Sequence, residues 1–254
     1  MPTTDNKAGT APQSSDAAEL AQFARHAQHW WDPKGPFAPL HRLNPTRMEY
    51  IRGQVSRHFR PRDLDQPLSG LTCLDIGCGG GLVAEPLARM SGVVTGIDLV
   101  EDSIAAARSH ADSQGLSIEY QLESAEAIQV DAKQFDVVTC LEVIEHVTNP
   151  SEFLATVCDL VRPGGLLVLS TLNRNPASLA LGKVAAEYIL NWVPRGTHDW
   201  RKFAKPHELA APVRNAGLIV GDVTGLNLHP IHGWQAQGPA LINYMMTAKK
   251  PADA

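Results

Sequence analysis

The stretch that most constrains the fold is Leu74-Asp75-Ile76-Gly77-Cys78-Gly79-Gly80-Gly81, followed by Gly96-Ile97-Asp98. It reads as a buried strand that ends in a glycine turn, then a helix, then a second strand that ends in an acid. A glycine turn lets a ligand touch the backbone because no Cβ stands in the way. An acid at the end of the next strand accepts hydrogen bonds from a ribose diol. Together they predict an α/β fold with a site for a nucleoside-bearing cofactor. Two familiar phosphate sites fail on spacing. The dinucleotide fingerprint needs glycine at the sixth position from Gly77, and Leu82 stands there. No G-x-x-x-x-G-K-[ST] loop is present, and the first basic residue after the turn, Arg89, comes two helical turns later.

The chain has 254 residues, which fits one large α/β domain with additions or two small domains. Its 44% hydrophobic and 19% charged content are those of an ordinary soluble globule. A net charge of −5 argues against a nucleic-acid partner, which would require a concentrated basic face. Cys73, Cys78, Cys140 and Cys158 form no C-x-x-C pair, so the usage is that of a reducing compartment, with neither a disulfide framework nor a zinc site. Cys78 reads as a small turn filler rather than a nucleophile. Residues 1–15 are polar and lack the features of a secretory signal or a mitochondrial presequence; they are expected to form a disordered tail. No apolar run reaches transmembrane length.

Asp16 with Glu19 signals a helix start, and Pro33 stops that helix after Trp30-Trp31. Gly35 to Leu40 reads as a stiff loop, and Asn44-Pro45 as the cap and first residue of a second helix carrying Arg47, Ile51 and Phe59. Residues 16–70 thus form N-terminal helices, expected to cap the active site of a core at 71–254. From Leu71 the pattern alternates: strands at 72–76, 93–97, 118–122, 135–140 and 166–170, with helices between them. A helix at 206–216 precedes two last strands, 218–224 and 241–247. Repeated βα units imply a mostly parallel sheet with helices on both faces.

Ligands of open α/β sheets sit outside the carboxyl ends of the strands. The fourth strand exits into Leu141-Glu142-Val143-Ile144-Glu145-His146, so Leu141 and Glu142 fall at the cofactor. Glu142, Glu145 and His146 are expected to open a helix, with the spacing placing all three on one face. Two readings of that face stand. It is a divalent cation site with open positions for a substrate oxygen, or a set of solvated acids favoured by a helix N-terminus.

The glycine turn and Asp98 resemble the first two motifs of the Rossmann-like, class I S-adenosylmethionine-dependent methyltransferases. That resemblance covers roughly Leu71 to Ala248 and implies a seven-stranded sheet with an antiparallel final strand. It implies a turn, Gly77 and Gly79 included, along the aminoacyl part of the cofactor, and Asp98 on the ribose. A second set of motifs is more specific: Trp30-Trp31-Asp32, Pro39 to Pro45, Ser170 to Asn175, Ala186 to Leu190, Pro194 to Trp200 and Asn243-Tyr244-Met245. These resemble the ubiquinone-biosynthesis O-methyltransferase family of bacteria, which methylates catechol-type hydroxyls on polyprenylated rings at two steps. The resemblance implies S-adenosyl-L-methionine as cofactor and Arg47, Gly77, Asp98 and Leu141 as its binding positions. It favours a divalent cation, Mg2+ first among candidates, at Glu142, Glu145 and His146. Relatives carry an acid near the adenine where this chain has Ser124, so Ser124 is the candidate there, flanked by Glu123 and Glu126.

Between the fifth strand and the Pro206 helix lies an apolar insertion, residues 173–205, with Leu181, Ile189, Trp192 and Val193 prominent. It reads either as a lid and membrane-facing wedge or as an ordinary core or dimer-contact helix. His198 and Asp199 follow, either helping to deprotonate the hydroxyl or forming a plain surface pair. The expected partners are a polyprenyl catechol or quinol substrate, reversibly a membrane surface, and other enzymes of the pathway. The expected place is the bacterial cytoplasm, peripheral to the inner membrane. The alternatives are methylation of another small phenol or lipid, and a non-catalytic cofactor- and lipid-binding protein.

Overall fold

The computed structural model describes residues 17–176, 178, 200–229 and 231–252. The elements are α1 (Ala17–His26), α2 (Ala38–Phe59), β1 (Thr72–Ile76), α3 (Ala84–Arg89), β2 (Val93–Asp98), α4 (Glu101–Ser113), β3 (Glu119–Leu122), α5 (Ala125–Val130), β4 (Phe135–Leu141), α6 (Pro150–Asp159), β5 (Val161–Leu172), α7 (Pro206–Asn215), β6 (Ile219–His229), β7 (Gly233–Ala236) and β8 (Asn243–Lys249). The sheet order is β3-β2-β1-β4-β5-β8-β6-β7. Strands β1 to β5 pair in parallel. The expected antiparallel strand is β8, wedged between β5 and β6.

Parallel strands covered on both faces read as continuous apolar runs. Leu74, Ile76, Val138 and Cys140 pack with α5, α6 and α7 in one core layer. Cys73, Val137 and Leu141 point to the other face and pack with α2, α3 and α4. Each layer seals one side of the sheet, so the carboxyl ends of β1, β2, β4 and β5 are left as the place for chemistry.

Four expectations are corrected. The second helix begins at Ala38, not at Asn44-Pro45. Pro39 sits in the first helical turn, where no N–H partner is needed, and Pro45 lies inside the helix. Asn44 caps nothing; its Nδ2 donates to the carbonyl of Leu82. The buried face of Leu43, Tyr50, Ile51 and Val55 carries the helix past the proline. Strand β6 does not stop at Thr224 but runs through Gly225, where a Cβ would lie 2.1 Å from the carbonyl oxygen of Pro239. The extension pairs with β7, giving eight strands rather than seven. The short helix α5, capped by Ser124, lies where none was expected.

One carboxylate ties helix α2 to β6. Asp222 Oδ2 accepts hydrogen bonds from Tyr50 Oη (2.8 Å), Gln54 Nε2 (3.1 Å) and Thr224 Oγ1 (2.7 Å). Tyr50 and Gln54 are buried, so losing the acceptor strands two donors. Asp222→Ala is expected to cost about 1–3 kcal/mol, read as a lower urea midpoint with unchanged slope.

Candidate active site

The glycine turn follows β1 and is pinned from below. Cys78 N–H donates to Ile97 O at 2.9 Å, and Gly81 N–H to Cys78 O at 2.9 Å. Gly77 and Gly79 take φ of 68° and 51°, which favours glycine. The turn's one side-chain anchor in the core is Asp98. Its Oδ2 accepts the Gly79 N–H at 2.8 Å and its Oδ1 the Val100 N–H at 2.9 Å. Burial raises the Asp98 pKa, while the amides at Val100 and Gly79 work against that rise. Leu99 N–H also favours the ionised carboxylate, whose roughly four lone-pair sites leave room for a further donor. Beneath the turn Asp75 is buried, held by Thr139 Oγ1 at 2.7 Å, and burial pushes its pKa to about 7. The Cys78 thiol is buried and its pKa raised by that burial, as suits a turn filler.

Glu142 leaves β4 at φ 56°, an unusual conformation for glutamate. No α-helix opens here: the chain makes a single tight turn, Ile144–His146, before Pro150 starts α6. The expected helical face of Glu142, Glu145 and His146 is therefore absent. Glu142 Oε1 instead collects three donors: Arg47 Nη2 at 2.6 Å, Ser170 Oγ at 2.6 Å and Asn243 Nδ2 at 2.8 Å. Glu145 is 6% exposed and accepts from Thr171 Oγ1 at 2.8 Å. Burial acts to raise the Glu142 pKa, but Arg47, Ser170 and Asn243 hold it below the ordinary carboxylate value. Burial and then the Glu142 charge push Glu145 up to about 8. The opposite directions make Glu145 the member of the pair that more readily holds a proton.

Arg47 reaches this pair from α2, with its side chain 5% exposed. Its Nε is buried and has no hydrogen-bond partner among the described residues. Leu141 is buried at the end of β4, next to Glu142 in sequence. Ser124 is half-buried, and its hydroxyl accepts the Ala127 N–H at 3.2 Å. His146 acts electrostatically on Glu145 and lines a cavity of about 580 Å3 with Ile144, Leu154, Arg174, Phe203 and Leu209. Among the described residues no three His, Cys, Asp or Glu side chains gather in a metal-ligating group, so the expected Glu142–Glu145–His146 set reduces to the two carboxylates. His198 and the apolar 181–193 stretch lie outside the described residues. Ser170, Thr171 and Asn243 orient the carboxylates; they stood in the sequence as motif residues, but nothing local marked them as partners of Glu142 and Glu145, because β5 and β8 lie far apart in the chain.

A mostly parallel sheet in this order, with a glycine turn after β1 and an acid closing β2, is the fold of the class I methyltransferases. Residues 74–169 match the methyltransferase domain family. The chain is 47% identical over 247 residues to the ubiquinone biosynthesis O-methyltransferase of Methylobacterium sp. (strain 4-46), covering 96% of this chain and 99% of that one. It is 48% identical to the protein of that name from Caulobacter vibrioides, covering 96% and 98%. The chain belongs to the ubiquinone biosynthesis O-methyltransferase family. Among solved structures, the magnesium protoporphyrin IX methyltransferase of Synechocystis PCC 6803 with bound SAH shares the fold, with TM-score 0.62 and 18% identity over 92% of this chain and 95% of that one.

Proposed function

We propose that the protein transfers the methyl group of S-adenosyl-L-methionine to catechol-type hydroxyls on polyprenylated rings in ubiquinone biosynthesis. The two acceptors are 2-polyprenyl-6-hydroxyphenol and 3-demethylubiquinol. The observation that carries the reading is the Glu142–Glu145 pair, held by Arg47, Ser170, Asn243 and Thr171 at the strand ends that also carry the pinned glycine turn. In the transfer the methyl carbon leaves the sulfonium sulfur as its bond to the hydroxyl oxygen forms, and the hydroxyl proton passes to a carboxylate. The products are the methyl ether and S-adenosylhomocysteine. Preorganised placement of the two reactants supplies much of the acceleration in such an in-line displacement.

Arg47 supports a place for the cofactor's carboxylate, because its unpartnered Nε and its Nη2 form a two-pronged fork of which Glu142 occupies one prong. Asp98 grips the ribose, and Gly77, Gly79 and Leu141 line the same cofactor. Ser124, with its hydroxyl on the α5 amide, has further acceptor and donor capacity for the adenine edge. The donor set around Glu142 speaks against a divalent cation such as Mg2+ there, since Arg47, Ser170 and Asn243 already fill that carboxylate oxygen. Deprotonation then falls to the carboxylate pair.

Contact with a membrane surface rests on the apolar sequence of residues 181–193, which follow a substrate that resides in lipid. No helix among the described residues is long and apolar enough to cross a membrane. The test of the whole reading is an assay of the purified protein with labelled S-adenosylmethionine and a short-chain catechol analogue. Label is expected in the catechol ether, and its absence would remove the reading. The same assay after exhaustive chelation is expected to run at full rate. Loss of activity that added Mg2+ restores would place a cation at the pair instead.

A further inference from the structure

Two tryptophans cover the glycine turn. A Cβ built on Gly79 would stand 2.6 Å from the benzo edge of Trp30, and one on Gly80 2.4 Å from Trp30 Cγ. Trp30 is 6% exposed, stacks on Phe37 at 3.6 Å between centroids, and donates its Nε1–H to Ser103 Oγ at the start of α4. Its neighbour Trp31 donates Nε1–H to the Gly80 carbonyl at 2.9 Å. The Trp31 ring stacks on His110 of α4, with centroids 3.5 Å apart and planes 6° apart. His110 Nδ1 in turn meets Glu85 Oε1 of α3 at 2.5 Å, and Glu85 is 2% exposed. His41 Nε2 reaches the Trp30 carbonyl at 2.7 Å, securing the strap from α2. One short segment therefore bridges the glycine turn and both helices that flank it.

Three consecutive glycines lose more conformational freedom on ordering than any other triplet. From the core, Ile97 and Asp98 fix the Cys78 and Gly79 amides, but the contact to the Gly80 carbonyl comes from Trp31. A ligand that had to order this peptide itself would bind more weakly by the cost of doing so. We propose that Trp30 and Trp31 are positioning residues that hold the Gly79-Gly80-Gly81 turn in its cofactor-binding shape, with His110 and Glu85 as the backing of Trp31. The inference rests on the cofactor site proposed above. Gly79 and Gly80 are then glycines for the tryptophan that covers them as well as for the turn they make.

Calorimetry of S-adenosylhomocysteine on the full chain tests the clamp. Trp31→Phe keeps the stack and loses the N–H, so affinity is expected to fall about fivefold, the equivalent of one net hydrogen bond. Trp31→Ala loses both contacts and is expected to fall roughly thirtyfold. At saturating cofactor kcat stays within about twofold, because the clamp touches no reacting atom and acts on cofactor binding alone. The KM for the catechol stays unchanged. In Trp31→Phe without ligand, the Gly80 and Gly81 amides exchange faster with solvent, and saturating S-adenosylhomocysteine restores their protection. Trp31→Phe serves alone if Trp31→Ala does not fold. Wild-type affinity in the variants overturns the clamp, as does a loss of kcat at unchanged cofactor KM. A wild-type protein that itself fails to bind S-adenosylhomocysteine overturns the cofactor site, which is a separate result.

Discussion

Glu145→Gln is expected to lower kcat/KM for a catechol by roughly 10²- to 10⁴-fold, the usual worth of a general base. The wild-type rate should rise with pH through about 8, where Glu145 gives up its proton, and the variant should lose that limb. Gln keeps the acceptor for Thr171 Oγ1, so the turn is left in place. A stability measurement separates chemistry from folding. The folded protein keeps a proton that the unfolded chain releases near 4.5, so stability falls as pH rises from there to about 8. In Glu145→Gln the unfolding midpoint should vary less with pH across that window. Wild-type turnover in the variant would show that the pair does not take the hydroxyl proton.

How legible each part was depends on how local its cause is. Strand β1 was placed to the residue because Thr72–Ile76 is a short, mostly apolar run, with only Thr72 and Asp75 polar, set between Gly70 and Gly77. The glycine turn and Asp98 were legible for the same reason, since strand, turn, helix and acid follow one another in the chain. Asn44-Pro45 carried a strong local start signal and was overruled by burial, because Leu43 and Ile51 pack on the core whatever stands between them. The Glu142 turn left no mark: nothing in a glutamate announces φ 56°. Neither did the donors around it. Ser170 lies 28 residues from Glu142 and Asn243 101 residues away, and such pairings have no periodicity to betray them. The tryptophan strap is the same case, since Trp31 meets a carbonyl 49 residues on. The short helix α5 was the exception, because Ser124 at its cap and Glu126 in its first turn were local signals that could have found it.

Asp98→Ala is expected to weaken S-adenosylhomocysteine by one to two decades. The carboxylate accepts the Gly79 and Val100 amides, and its remaining acceptor capacity is what the ribose diol would use in the proposed site. Charge-assisted bonds of this kind are worth about 1.5–3 kcal/mol each. The variant also leaves two backbone amides without their acceptor, so part of any loss would come from a slackened turn. A cycle with 2′-deoxy-S-adenosylhomocysteine isolates the ribose contact. Wild type should discriminate against the deoxy ligand by about tenfold, and Asp98→Ala should bind both ligands alike. Discrimination that survives in Asp98→Ala would move the ribose to another residue while leaving Asp98 as the turn's anchor. The ribose stays unchanged through the reaction, so its grip is the same in ground and transition states, and kcat at saturating cofactor should change little. That places Asp98 opposite Glu145 in kinetic effect: one variant raises the cofactor KM, the other lowers the rate of the bound complex.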